Sequence, residues 1–237
     1  MRVLELDGIS ALASVLIDAS LLGVGAIKHG SPDLVLFNSG GPASHLAKNS
    51  ILCGPSSTRI VIRQSNNSHD SNRNNALEGQ IELIAERPKL TAEIEEWKHG
   101  CWYHSNTISA ASLGDLLNKL KQLTPKYEFI DHKELLPSGA FWAGSIAYDM
   151  VQFTQPISLE KAAKENEILT VLWLIENYII HSVDNDNYAV HGIDEQWKKS
   201  VEEVIDNHDI LVTLPLQPEN NNDEFSSIND EQHRSSI

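Results

Sequence analysis

His99, Cys101 and His104 place three metal-ligating side chains inside six residues, and imidazole nitrogen with thiolate is a donor set that zinc takes. All three come from one short segment, whereas a zinc site ordinarily gathers its ligands from at least two separated ones. That favours ordinary structural roles for them. The other histidines, His29, His45, His69, His132, His181, His191, His208 and His233, are scattered singly, mostly beside polar or turn residues, and read as solvated or structural groups. Two carboxylate pairs, Glu95–Glu96 and Glu202–Glu203, are adjacent in the chain. On a helix such neighbours point to different sides, which does not suit acid–base pairing and suits solvated faces. No GxSxG elbow, GxxxxGK[ST] phosphate loop, GxGxxG turn or HExxH helix occurs, so no nucleophile, phosphate cradle or metalloprotease centre is announced.

Composition narrows the field further. The 237 residues carry 18 basic against 33 acidic side chains, a formal charge of −15. A phosphate backbone needs clustered cations to displace its counterions, so nucleic acid is excluded as a partner. With 41% hydrophobic and 22% charged residues, the chain has apolar surface enough for one large domain. No apolar run approaches the roughly 18 residues that a membrane-spanning helix needs. Glu5, Asp7 and Asp18 interrupt the first thirty residues, where an export signal would have a basic start and an unbroken apolar stretch. Cys53 and Cys101 lie far apart, outside any CxxC pair, and read as small packing residues. The expectation is a cytoplasmic chain with neither membrane nor nucleic-acid contact.

The elements that would position any site follow from periodicity. Residues 33–39 (DLVLFNS) and 57–64 (STRIVIRQ) have strand character, with Gly40, Gly41 and Pro42 turning the chain after the first. Residues 65–75 (SNNSHDSNRNN) hold no apolar side chain and read as a flexible loop, extending to about residue 78. The alternating stretch 79–85 is expected to pair with residues 59–64 in a hairpin. Leu113, Leu116, Leu117, Leu120 and Leu123 recur on one helical face behind a capping Ser112. Residues 139–152 (GAFWAGSIAYDMVQ) suggest a buried strand running into a short helix, with small residues for close backbone approach. Residues 169–182 and 188–191 read as two strands joined by an Asp/Asn turn, and 194–207 as a helix packed by Trp197, Val201, Val204 and Ile205. A short strand is expected at 210–214, and residues 215–237 have the composition of a linker or tail. Short connections between strands predict an α+β domain, mainly antiparallel, over residues 1–214.

Two stretches also carry a resemblance. Residues 36–42 (LFNSGGP) followed by 47–52 (AKNSIL), and then 144–153 (GSIAYDMVQF), resemble in order and spacing the N-terminal region of the anthranilate synthase component I family. That family reads LLES and then (A)RYS(I/V), and later GYxxYDxVR(F/Y). The hairpin over residues 172–190 resembles the family's next one, so the likeness spans most of residues 30–215. Asn38 stands where the family has glutamate, Ser145 where it has tyrosine and Gln152 where it has arginine. Tyr148 and Asp149 are the best-matched pair. They read as structural, the tyrosine ring in the core with its hydroxyl partnered and the aspartate fixing a turn or helix start.

The resemblance implies the N-terminal half of that fold. It implies tryptophan biosynthesis, in which chorismate and ammonia from a glutamine amidotransferase partner become anthranilate and pyruvate. The chorismate- and Mg²⁺-binding residues of the family lie in a C-terminal half that residues 215–237 would lead into, so this chain by itself would hold no cofactor and no catalytic residue. By position, Asn38, Ser39 and Lys48 fall where the family binds tryptophan as a feedback inhibitor. An acceptor and hydroxyl beside a cation suit the ammonium and carboxylate of a zwitterion. The related aminodeoxychorismate synthase component I shares the pattern, and a stand-alone amino-acid-binding module that has lost catalysis is the alternative from another class. If a catalytic half normally covers this one, Trp142, Phe153 and Trp173 are expected in an exposed apolar patch.

Overall fold

Alternation of β-branched and aromatic residues with polar ones fills most of this chain, and strands are what result. The computed structural model describes residues 8–39, 48–63, 90–126, 137, 139–154, 164, 166–182 and 187–207. Among them are strands β1 (Leu36–Phe37), β2 (Asn49–Cys53), β3 (Thr58–Arg63), β4 (Leu90–Lys98), β5 (Cys101–Ala110), β6 (Phe141–Ile146), β7 (Ile168–Ile175), β8 (Asn177–Ser182) and β9 (Asn187–Gly192). The α-helices are α1 (Gly8–Asp18), α2 (Leu113–Leu123) and α3 (Glu195–Asn207), with 3-10 turns at Gly23–Ala26 and Tyr148–Phe153. The strands form two antiparallel sheets, one in the order β1-β2-β8-β9 and one in the order β5-β4-β3-β7-β6. The fold is α+β and mainly antiparallel, as the pattern predicts.

The sheets are joined by one run of chain. Only Glu176 separates β7, which lies between β3 and β6, from β8, which lies between β2 and β9. The apolar run at 169–182 is therefore two strands in two sheets and not the single strand its composition suggests.

Each sheet has one face covered by helix. Ile9, Leu12 and Leu16 recur every three or four residues along α1 and pack with Trp197 and Val201 of α3 onto Leu52 and Ile179 of the four-stranded sheet. Leu12 and Leu16 are wholly buried, and each contributes about 1.5–3 kcal/mol by leaving water. Trp197 Nε1 donates to Leu21 O at 3.0 Å, so the indole is both buried and satisfied. Asp194 caps α3, accepting from Trp197 N at 2.9 Å. Across the five-stranded sheet lies α2, whose Leu116 and Leu120 pack on Ile60, Ile62, Ala92 and Leu172. Ser112 caps α2 by accepting from Asp115 N, as expected. Between the sheets sit Cys53, Ala143, Ile175, Tyr178 and Ile180.

Several expectations are corrected. β3 pairs with β4 on one edge and β7 on the other, so it has no edge left for residues 79–85, which lie outside the described residues. Glu95 and Glu96 belong to strand β4, not to a helix, whereas Glu202 and Glu203 are exposed on α3. β6 is an edge strand whose second half is exposed, not a buried one. Leu117 and Leu123 face outward. Tyr148 is 77% exposed and outside the core, because the 3-10 turn that follows β6 buries Met150 in its place. Asp149 stands in the first turn of that 3-10 segment. Trp142, Phe153 and Trp173 are half-buried and packed, with Trp142 Nε1 donating to Thr124 Oγ1 at 2.9 Å and Trp173 Nε1 to Asp33 Oδ2 at 3.0 Å. The exposed apolar side chains nearby are Ile146, Tyr148 and Ile168. The expected loop at 65–78, the strand at 210–214 and the tail at 215–237 lie outside the described residues.

Candidate functional site

The two stretches that bear Asn38, Ser39 and Lys48 come together as neighbouring strands. β1 pairs with β2 through Leu36 opposite Leu52 and Phe37 opposite Ile51. Beyond Phe37 side chains take over from the backbone ladder. Ser39 N donates to Ser50 Oγ at 3.0 Å, and Ser39 Oγ donates to Asn49 O at 2.5 Å. Ser50 Oγ in turn donates to Asn38 Oδ1 at 3.4 Å. Lys48, immediately before β2, is exposed. The structure thus brings Asn38 and Ser39 into one hydrogen-bonded cluster with the chain that carries Lys48.

The commitments of these groups decide what they can hold. The Ser39 hydroxyl proton is used on Asn49 O, so toward a ligand its oxygen acts as an acceptor. Asn38 Oδ1 is likewise an acceptor. Two acceptor oxygens suit an ammonium donor, and the Lys48 ammonium is the complementary group for a carboxylate.

A row of polar side chains that the sequence analysis missed continues the cluster. Ser50 is opposite His181, and His181 is opposite Tyr188. The next row along the same face, Leu52, Ile179 and Val190, is apolar and belongs to the core under α1 and α3. Ser50 and His181 are buried, and the His181 and Tyr188 rings stack with centroids 4.6 Å apart and planes 19° off parallel. A histidine inside the apolar strand NYIIHS is the readable trace of this row, since a buried polar residue is the informative exception in a core strand.

His99, Cys101 and His104 are not brought together as ligands. His99 and Gly100 form the tight β4–β5 turn at positive φ, 52° and 78°. Cys101 and His104 are three residues apart on a strand and so face opposite ways. His104 Nε2 lies 2.9 Å from Thr107 Oγ1. Among the described residues no group of three His, Cys, Asp or Glu side chains is placed to hold a metal ion. Cys53 is the buried packing residue the sequence suggested, and burial pushes its thiol up to about 12. Cys101 is exposed, which corrects the packing role expected of it.

The opposite face of the five-stranded sheet carries charge. Arg59 Nε donates to Glu95 Oε2 at 2.6 Å, its guanidinium lies 4.3 Å over the Trp102 ring, and Asp33 Oδ2 is 3.9 Å away. These partners occupy the cation, so the cluster reads as a fastening of the chain before β1 to the sheet.

The chain matches no protein-family model and no curated protein. Among solved structures it is similar to the crystal structure of anthranilate synthase component I from Streptococcus pneumoniae TIGR4, at 16% identity and a TM-score of 0.35. The similarity covers 70% of this chain, which spans 31% of that one. No described helix is long and apolar enough to cross a membrane.

Proposed function

We propose that this chain is the N-terminal, regulatory and structural part of an anthranilate synthase component I-type enzyme, and that the cluster at the β1–β2 end binds tryptophan. The observation that carries the reading is the pairing of the two motif stretches. Residues 36–39 and 48–52, which carry the resemblance, meet in register and are tied through Ser39, Asn49 and Ser50. In this reading Asn38 and Ser39 accept from the ligand ammonium, and Lys48 meets the carboxylate. The chemistry on chorismate, with Mg²⁺, belongs to a C-terminal half, and ammonia comes from a glutamine amidotransferase partner in the cytoplasm.

The test uses the chain as it is. Isothermal calorimetry should give saturable heat with tryptophan, and Ser39→Phe should abolish it by filling the space beside Ser50. Chorismate, ammonium and Mg²⁺ should yield no anthranilate fluorescence with this chain alone. Turnover by the chain would overturn the assignment of chemistry to another half, and absence of heat at millimolar tryptophan would overturn the binding role.

A further inference from the structure

We propose that a second groove, between the turn at residues 27–30 and the tip of the β4–β5 hairpin, binds a small carboxylate with an aromatic body. The groove has a volume of about 390 Å³, and Lys28, His29, Ser57, Trp97 and His99 line it. No aspartate or glutamate is among its lining residues, although acidic side chains outnumber basic ones 33 to 18 in the chain. A groove lined by three cationic or protonatable groups in an acidic protein is built for an anion.

Its parts are held in place before any ligand arrives. His29 has a side chain only 6% exposed, and its Nδ1 lies 2.6 Å from Asp194 Oδ2. That contact fixes the ring and leaves Nε2 to a ligand. Trp97 N donates to Ser57 O at 2.8 Å and its Nε1 to Ile27 O at 3.4 Å, while Trp102 packs edge-on at 5.3 Å. The indole is therefore a fixed wall for a planar apolar body. His99 reaches the groove because the hairpin turns at His99 and Gly100 with positive φ. The charged and titratable groups around His29 are Asp194 ahead of α3, Lys28 in its own turn and His99 across the groove. An anion at Nε2 would accept the N–H there, while Asp194 balances the charge on the other ring nitrogen.

Calorimetry of the full chain with benzoate, acetate and inorganic phosphate separates the contributions. Benzoate should bind saturably and at least tenfold more tightly than acetate, which lacks the ring. His29→Gln should weaken benzoate about tenfold, because it removes the ring that Asp194 holds in the groove wall. Lys28→Ala and His99→Asn should each weaken benzoate about tenfold, and asparagine tolerates the left-handed backbone at position 99. Ser39→Phe should leave benzoate binding intact, so this site stands or falls separately from the tryptophan reading. Phosphate binding more tightly than benzoate would overturn the aromatic part of the proposal. Benzoate affinity unmoved in both Lys28→Ala and His99→Asn, with circular dichroism and melting temperature unchanged, would overturn the site.

Discussion

Arg59 and Glu95 stand directly opposite each other on β3 and β4, and Arg59 Nε reaches Glu95 Oε2 at 2.6 Å. Glu95 is 14% exposed and Arg59 21%, so neither charge is fully hydrated by itself. Arg59→Leu removes the counter-charge while leaving the carboxylate half-buried, and should cost about 2–3 kcal/mol. Glu95→Gln keeps an acceptor for the guanidinium and should cost about 1 kcal/mol. Urea denaturation of the two variants checks the difference.

Asp194 supplies a pH dependence. Burial raises its carboxyl, but the Trp197 backbone N–H, then His29 by hydrogen bond and charge, and the Gln196 N–H outweigh burial and hold it below the usual 3.8. A carboxyl lowered on folding contributes stability that is present above the unfolded value and lost as pH falls through the folded one. The wild type should therefore lose its advantage over Asp194→Asn from about pH 4 downward. Asparagine also caps helices, so the variant keeps α3. Denaturation series between pH 2 and pH 7 read the gap.

The two thiols should differ sharply in reactivity. Cys53 is 1% exposed and its pKa is pushed up to about 12 by burial, whereas Cys101 is exposed in β5. Thiolate is the reactive form. Ellman's reagent should titrate one thiol in native protein and the second only in denaturant, and Cys101→Ser should remove the first phase.

Gly144 is fixed by backbone proximity. A Cβ there would stand 2.1 Å from Val171 O on the paired strand. Gly144→Ala forces β6 away from β7 and should cost about 2 kcal/mol, read as a lowered melting temperature. Thermal melting without that drop would show that β6 yields freely.

Elements governed by nearby residues were legible in the sequence. Ser112 and the leucines behind it specify α2 through local capping and a one-sided face, and Trp197 and Val201 mark α3 in the same way. The small residue at 144 was legible as a close approach. α1 was not, because GISALASVLID is apolar on nearly every side and shows little one-sided contrast. The partner of β3 was misread because residues 79–85 alternate just as β4 does, and only the pairing across distant chain decides between them. The same dependence hid part of the candidate site. Asn38, Ser39 and Lys48 lie close in the chain, but Ser50, His181 and Tyr188 become one row only through the registers of β2, β8 and β9.

The passage of the chain through Glu176 has a mechanical consequence. β7 and β8 are each flanked by strands on both edges, and a single residue separates them. Pulling either strand out of its sheet drags on the other through a single residue, so the two sheets share a load path and should melt in one cooperative transition. A ligand held by the β1–β2 cluster, which meets the far end of β8 where Ser50 lies opposite His181, would then slow amide exchange along β7 as well.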